Sequence, residues 1–274
     1  MTIDIHRPEF ADLYDELPLW SAPFGLLLLD RVPLRSGLQI LDVGAGTGFL
    51  AVELAQRCGA DATVWAVDPW AAAMQRLRRK VQFLELPNLR LLERDASDTG
   101  LAGASIDLVV SNLGINNFAN AAAVLRECQR VLRPQGRLLL TSNLSGHMAE
   151  LYDALRTVLE EQGLHARLPH LDRHIAQRGT ATSISALLTD AGFTVQHVSS
   201  SAFRMRFANG TTLLRHHFVR LAFLDGWQSI VAASDWPAVR DALEHKLNQI
   251  AASAGELALS VPMICIEAVE STAR

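Results

Sequence analysis

Four polar side chains stand where four apolar runs of this sequence end. Asp42 lies near the end of residues 38–43, Asp68 follows 62–67, Asp95 follows 89–93, and Asn112 follows 106–110. After the first acid comes Gly44-Ala45-Gly46-Thr47-Gly48, then a helix-like segment. Glycines at such a turn let the backbone bend tightly and let a ligand reach it. A helix opening near Thr47 aims free N–H groups and a positive dipole end into the turn. That suits a nucleotide-like ligand carrying a carboxylate or a phosphate. The alternative is a tight strand-to-helix turn without a ligand.

The spacing narrows the choice. Dinucleotide sites use G-x-G-x-x-G; here the third glycine comes one residue early. Asp42, two residues before the first glycine, would repel a pyrophosphate and suits an ammonium group. S-adenosylmethionine (SAM) has that ammonium and a sulfonium. Asp68 can accept both hydroxyls of a ribose, since a carboxylate offers two acceptor oxygens. NAD enzymes place an acid similarly, and a helix N-cap ahead of Pro69 is the other role open to Asp68. Pro69 or Trp70 can pack on a flat base, with a core tryptophan as the alternative. Asp95 can accept from an adenine amino group or serve as a turn acid before Ser97-Asp98.

These residues need a scaffold that brings strand ends together. Strands are predicted at 38–43, 62–67, 89–93, 106–110 and 137–141, with helices near 48–58, 69–85 and 119–132 between them. Runs this apolar on both faces belong in a parallel sheet covered by helices. Right-handed crossovers make such a sheet doubly wound, with its ligand beyond the carboxyl ends of the strands. Ahead of it, residues 8–34 predict helices: Phe10, Leu13, Tyr14 and Leu17 share helical spacing, Pro18 interrupts, and 24–29 begin a second helix. Tyr14 and Trp20 are core aromatics or close over the ligand. Arg76-Leu77-Arg78-Arg79-Lys80 reads as the solvated face of a helix, with phosphate contact as the other use.

Beyond strand five, Met148, Leu151, Tyr152, Leu155 and Leu159 share one helical face, and His147 at its start reads as an exposed cap. Strand six is placed at 193–200, extendable to Phe207, and strand seven at 259–269. Pro262 hints at an edge position or a bulge. Residues 209–255 intervene as a helical lid, with one helix over 213–224 and another over 237–252. His217 there falls on the apolar side with Leu213, Leu214 and Leu221, as a packed histidine or a general base. His170 and His174 lie four apart without the H-E-x-x-H pattern, so no metal site is expected.

The chain has 274 residues, 49% hydrophobic, with net charge -4. It can bury one large core, as one domain with insertions or as two small domains, and has no basic field for nucleic acid. Cys58, Cys128 and Cys265 lack metal-ligand spacing and are expected as reduced thiols of a cytoplasmic protein. Neither a signal peptide nor a membrane span is expected.

The chain resembles class I SAM-dependent methyltransferases, most of all the ubiquinone/menaquinone-biosynthesis and small-molecule subgroup. The carriers are LDVGAGTG (41–48), VDPW (67–70), the pair Asp95-Ala96, IDLVVSN (106–112), LRECQRVLRPQGRLLL (125–140) and ALLTDAGFTV (186–195). Gln135 departs from the family's Pro-Gly-Gly turn. The resemblance implies an α/β, doubly wound, mostly parallel seven-stranded sheet forming one domain over 1–274. Residues 1–36 would be a helical cap and 209–255 a lid inserted between strands six and seven. It implies that Asp42 and Gly44, Ala45, Gly46 and Gly48 hold the methionine part of SAM. Asp68, with Pro69 and Trp70, would hold the ribose side, Asp95 and Ala96 the adenine edge, and Asn112 with Leu113 the rim beside the methyl. Tyr14, Asn116, His147 and His217 are the candidates to touch a small-molecule acceptor. Asn116 is equally a turn residue. The expected activity is methyl transfer to that acceptor. An NAD-type oxidoreductase and a SAM-binding protein without turnover are the alternatives.

Overall fold

The computed structural model describes residue 4, residues 6–15 and residues 19–271. Leu17 and Pro18, read above as part of the first helix and its break, lie outside the described residues. The elements in chain order begin with helices α1 (Pro8–Asp15) and α2 (Ala22–Leu29), then β1 (Gln39–Val43), α3 (Phe49–Cys58), β2 (Thr63–Val67), α4 (Ala71–Phe83), β3 (Leu89–Leu92) and β4 (Ile106–Asn112). Next come α5 (Ala121–Val131), β5 (Leu132–Asn143), α6 (Ala149–Glu161), α7 (Leu168–Ile175), α8 (Ala181–Asp190) and β6 (Phe193–Phe207). Four helices, α9 (Gly210–Arg215), α10 (His217–Ala222), α11 (Leu224–Gln228) and α12 (Trp236–Ala254), precede β7 (Leu257–Glu270). The seven strands are ordered β3-β2-β1-β4-β5-β7-β6. The chain divides into two compact units: Met1–Ser142 with Ala181–Ser200 and Met263–Arg274, and Asn143–Thr180 with Ser201–Pro262.

In the first unit, β1 pairs in parallel with β2 and β4, and β4 in parallel with β5. Val43 faces Val67, and Asp42 faces both Ala66 and Val110. This register levels the carboxyl ends of three strands, so Asp42, Asp68 and Asn112 meet at one edge of the sheet. Helix α3 buries Leu50, Ala51, Leu54, Ala55 and Cys58, the stripe that lays a helix on a sheet. Asn120 caps α5 by accepting the Ala123 N–H at 3.0 Å.

Strand β5 starts earlier than expected. Pro134 and Gly136 sit in a bulge within it, where pairing jumps from Ile106↔Leu132 to Leu108↔Arg137. Gln135 occupies the bulge at φ +63°, the left-handed region where a side chain is strained. Strand β7 lies between β5 and β6, so the edge position inferred from Pro262 is corrected; the Pro262 carbonyl accepts the Leu144 N–H at 3.0 Å.

The basic run on α4 keeps Arg78 and Arg79 exposed, as a solvated face would, but its side chains are ion-paired. Arg76 donates to Asp15 at 2.8 Å, Lys80 also donates to Asp15, and Arg79 to Asp12. Arg78 pairs with Glu93 at 3.5 Å. Acids of α1 therefore clamp that helix to α4. Burial raises the Asp15 carboxyl, but hydrogen bonds from Lys80 and Arg76 outweigh it and hold the group below its ordinary range.

The second unit is helical, with α12 packed on α6 and α9. Gly210 opens α9 against α12, where an added Cβ would lie 2.5 Å from that of Leu247. The single helix expected over 213–224 is broken at His216, whose ψ of 129° is extended.

Asp15→Ala should lower stability by ~2 kcal/mol, as for loss of charged hydrogen bonds, measured by urea unfolding at pH 7. Because the folded pKa is depressed, the difference should shrink as pH falls through the carboxylate range.

Candidate functional site

The turn after β1 gives its glycines separate duties. At Gly48, with φ +88°, an added Cβ would lie 2.1 Å from Leu77 Cδ1, so this glycine lets α3 approach α4. At Gly46, with φ +53°, an added Cβ would meet nothing within 4 Å. Gly46 thus presents bare backbone to open space, the surface a ligand needs. The Gly44 and Ala45 N–H groups are already bonded to Val67 O at 3.0 and 3.2 Å.

Asp68 ties this turn to the start of α4. Its Oδ2 accepts the Gly46 N–H at 2.8 Å and its Oδ1 the Trp70 N–H at 2.8 Å. Burial raises its pKa, and these two bonds pull it back only in part. The N-cap of α4 is Trp70, not Asp68; the acid sits two residues earlier and makes an Asx-type turn. Each oxygen keeps a free lone-pair direction for a ligand hydroxyl. Trp70 packs edge-on to Phe10 and Tyr14, with ring centroids 5.8 and 5.6 Å away. Burial and the Asp68 charge raise the Tyr14 phenol, so Tyr14 of α1 lies near Asp68. Pro69 is exposed.

Asp42 is the electrostatic anomaly. It is 1% exposed, and its Oδ2 is buried without a hydrogen-bond partner among the described residues. Burial first, and the Asp68 charge second, push its pKa up to about 8. The folded value lies above the unfolded one. This carboxyl therefore supports folding fully only in acid, and that support is lost as pH rises through about 8. A ligand cation would reverse that penalty, so the orphaned oxygen and the open Gly46 backbone fit the ammonium-bearing end of SAM.

The remaining candidates are held by the frame. Asn112 donates to Ser21 O at 3.1 Å and accepts the Thr141 hydroxyl at 2.7 Å. The Leu113 N–H reaches Thr141 O at 3.2 Å, and Leu113 adopts φ +65°. Asn116 accepts the Ser142 hydroxyl at 2.7 Å. Strand β3 ends at Leu92, so Asp95 stands beyond it, exposed, accepting the Ser97 N–H at 2.8 Å. Those Ser97 hydrogen bonds lower its pKa. Ala96 is buried.

Glu127 escaped the sequence analysis. It is buried, accepts the Thr99 N–H at 2.9 Å, and pairs with Arg130 at 2.7 Å. It thereby pins the loop that carries Asp95 and Ala96. An acid on the inner face of a predicted helix was the available signal.

Two histidines of the second unit are corrected. His147, expected as an exposed cap, is 4% exposed, and the residue after it, Met148, enters α6 at φ +52°. His217, expected on the apolar side, is exposed at the start of α10; the break at His216 resets the helical phase. No helix among the described residues is long and apolar enough to cross a membrane.

Residues 41–140 match a family model described as a methyltransferase domain. The malonyl-(acyl-carrier protein) O-methyltransferase of Halorhodospira halophila is 28% identical over 207 residues, 75% of this chain and 65% of that protein. The ubiquinone/menaquinone biosynthesis C-methyltransferase UbiE of Idiomarina loihiensis is 28% identical over 129 residues, 46% of this chain and 51% of that protein. The chain thus spans between about half and two thirds of the length of these curated relatives. Among solved structures, the YcgJ protein from Bacillus subtilis matches with a TM-score of 0.61 at 16% identity, covering 92% of this chain and 99% of that one. That likeness is one of fold.

Two glycine substitutions should separate framework from ligand space. Gly48→Ala should cost ~3 kcal/mol by overpacking against Leu77, and Gly46→Ala only ~1 kcal/mol of backbone strain, both by urea unfolding.

Proposed function

We propose that this protein, whose residues 41–140 match a methyltransferase domain, binds SAM at the strand ends of its first unit and methylates a small molecule. The observation that carries this reading is Asp42, a buried carboxyl without a counter-charge beside an open glycine backbone. When bound, SAM supplies an electrophilic methyl on a sulfonium that leaves as a thioether. Asp42 would take the ammonium group, and Gly46 would give the chain's closest approach to the ligand. Asp68 would orient the ribose hydroxyls, with Trp70 and Tyr14 shielding that side from water. Pro69 would border it, while Asp95 and Ala96 would receive the adenine edge. Asn112, Leu113 and Asn116 are anchored to β5 and would hold the rim.

The group at the rim is an amide, which does not take up protons at neutral pH. Asp42 and Asp68 are committed to the cofactor. The site residues therefore act by positioning: they hold acceptor, methyl and sulfur in line and exclude water, which can supply most of the acceleration. The relatives named above are, by name, an O-methyltransferase and a C-methyltransferase.

The test is calorimetry with SAM and with NAD, followed by S-adenosylhomocysteine release over an acceptor panel. SAM should bind and NAD should not; the converse overturns the proposal. With Asp42 raised to about 8 and ionised on binding a cation, SAM uptake at pH 6.5 should release about one proton. Titrations in two buffers of different ionisation enthalpy measure it. Gly46→Ala should weaken SAM binding about tenfold or more by filling the open space.

A further inference from the structure

The amino ends of the strands in the first unit carry a cleft that the cofactor reading leaves unused. It has a volume of about 110 Å³ and lies where the segment before β1 meets the start of β4 and the bulge of β5. Strand β1 runs from Gln39 to Val43, so Asp42 stands at its other end.

The cleft has an apolar and a polar side. Pro33, Leu38 and Leu108 form the first, with both leucines buried. Arg35, Asp107, Gln135 and Arg137 form the second. Asp107 is committed: its Oδ2 accepts the Gln39 N–H at 2.9 Å and its Oδ1 the Arg133 guanidinium at 2.5 Å. Arg137 donates one nitrogen to Glu267 at 2.9 Å and keeps its other donors. Arg35 makes no ion pair or side-chain hydrogen bond among the described residues. Among the groups that line the cleft and their partners, three arginines meet two acids, which leaves one positive charge.

Gln135 is a second, independent sign. Its φ of +63° is one that glycine adopts freely and a side chain at a cost. The next residue shows what the frame itself demands. A Cβ added at Gly136 would lie 2.8 Å from Arg133 O, so the bulge requires that glycine. Nothing comparable requires a glutamine at 135, which is exposed. The chain therefore keeps an amide side chain in a strained conformation on the cleft wall. Bulges re-aim side chains in this way, and strain held at one residue points to a task other than folding.

Size and charge select the ligand. A cavity of about 150 Å³ holds a benzene ring, so this one takes a smaller body. A metal cation would meet the surplus positive charge. Inorganic phosphate has no apolar part for Pro33, Leu38 and Leu108. A carboxylate matches the single charge, its two oxygens match the planar fork of arginine, and a glutamine amide adds N–H donors. We infer that this cleft binds a short-chain monocarboxylate of about three or four carbons. Arg35, Arg137 and Gln135 hold its carboxylate, and its alkyl end lies against Pro33, Leu38 and Leu108. The site stands whether or not SAM binds at the opposite strand ends.

Butyrate is the probe, titrated into the full chain at matched ionic strength against chloride, inorganic phosphate and butanol. Binding is read from the ¹⁵N shifts of the Arg35 and Arg137 side chains and of the Leu38 and Asp107 backbone amides. The expected result is a saturable butyrate response, weakened at least tenfold in Arg35→Met with the thermal midpoint unchanged. Arg35→Lys, which keeps the charge without the fork, should recover only part of it. Gln135→Gly should weaken butyrate severalfold yet raise the thermal midpoint, because the strain relieved exceeds the chain entropy that glycine adds. A lower midpoint with full butyrate affinity in Gln135→Gly overturns the role of this residue. Lack of saturation, an equal response to chloride, or a response that survives Arg35→Met overturns the site. Tighter binding of phosphate than of butyrate overturns the alkyl side, and equal binding of butanol overturns the carboxylate anchor.

Discussion

A carboxyl group buried without a positive partner at the end of β1 is the constraint from which the first unit is built. Strand β1 is paired on both sides, and the Asp42 side chain at its end is 1% exposed. Removing a charge from water costs several kcal/mol unless another group compensates it. Among the described residues, no lysine or arginine is bonded to it. The chain offers a second acid, Asp68, whose charge makes the burial worse. An arrangement so unfavourable alone would become favourable with a cation beside it. Asp68 braces the turn through the Gly46 N–H, while Ser111 donates to Val43 O at 2.8 Å and fixes the strand end from the other side.

Much of this was legible in the sequence because it depends on local pattern. Continuous apolar runs predict buried parallel strands, and β1, β2 and β4 lie within a residue or two of their expected bounds. Strand-end acids could be placed because parallel register levels them. What escaped depends on contacts between distant residues. The basic run on α4 carries no sign of its partners, which lie on α1 about sixty residues earlier. Glu127 looked like one more helical acid, yet its neighbour in space is Thr99.

The helical insertion misled for a different reason. Periodicity assigns faces only while a helix continues, and a single extended residue, His216, shifts everything after it. His217 accordingly moved from the predicted core to the surface, and His147, next to the left-handed Met148, moved the other way. Gln135 shows the same limit in a strand. The sequence marked it as a departure from a glycine turn, and the backbone there is indeed left-handed, but inside a bulge of β5 and not in a connecting loop.

The central claim is that the Asp42 carboxyl is neutral when alone and ionised opposite a bound cation. The direct measurement is the ¹³C shift of its side-chain carboxyl across pH, in aspartate-labelled protein assigned with Asp42→Asn. Without SAM the account predicts a midpoint near 8, and with saturating SAM an ionised signal throughout pH 6–8. A midpoint in the ordinary range near 4 without SAM, or a titration that SAM leaves unmoved, would contradict it.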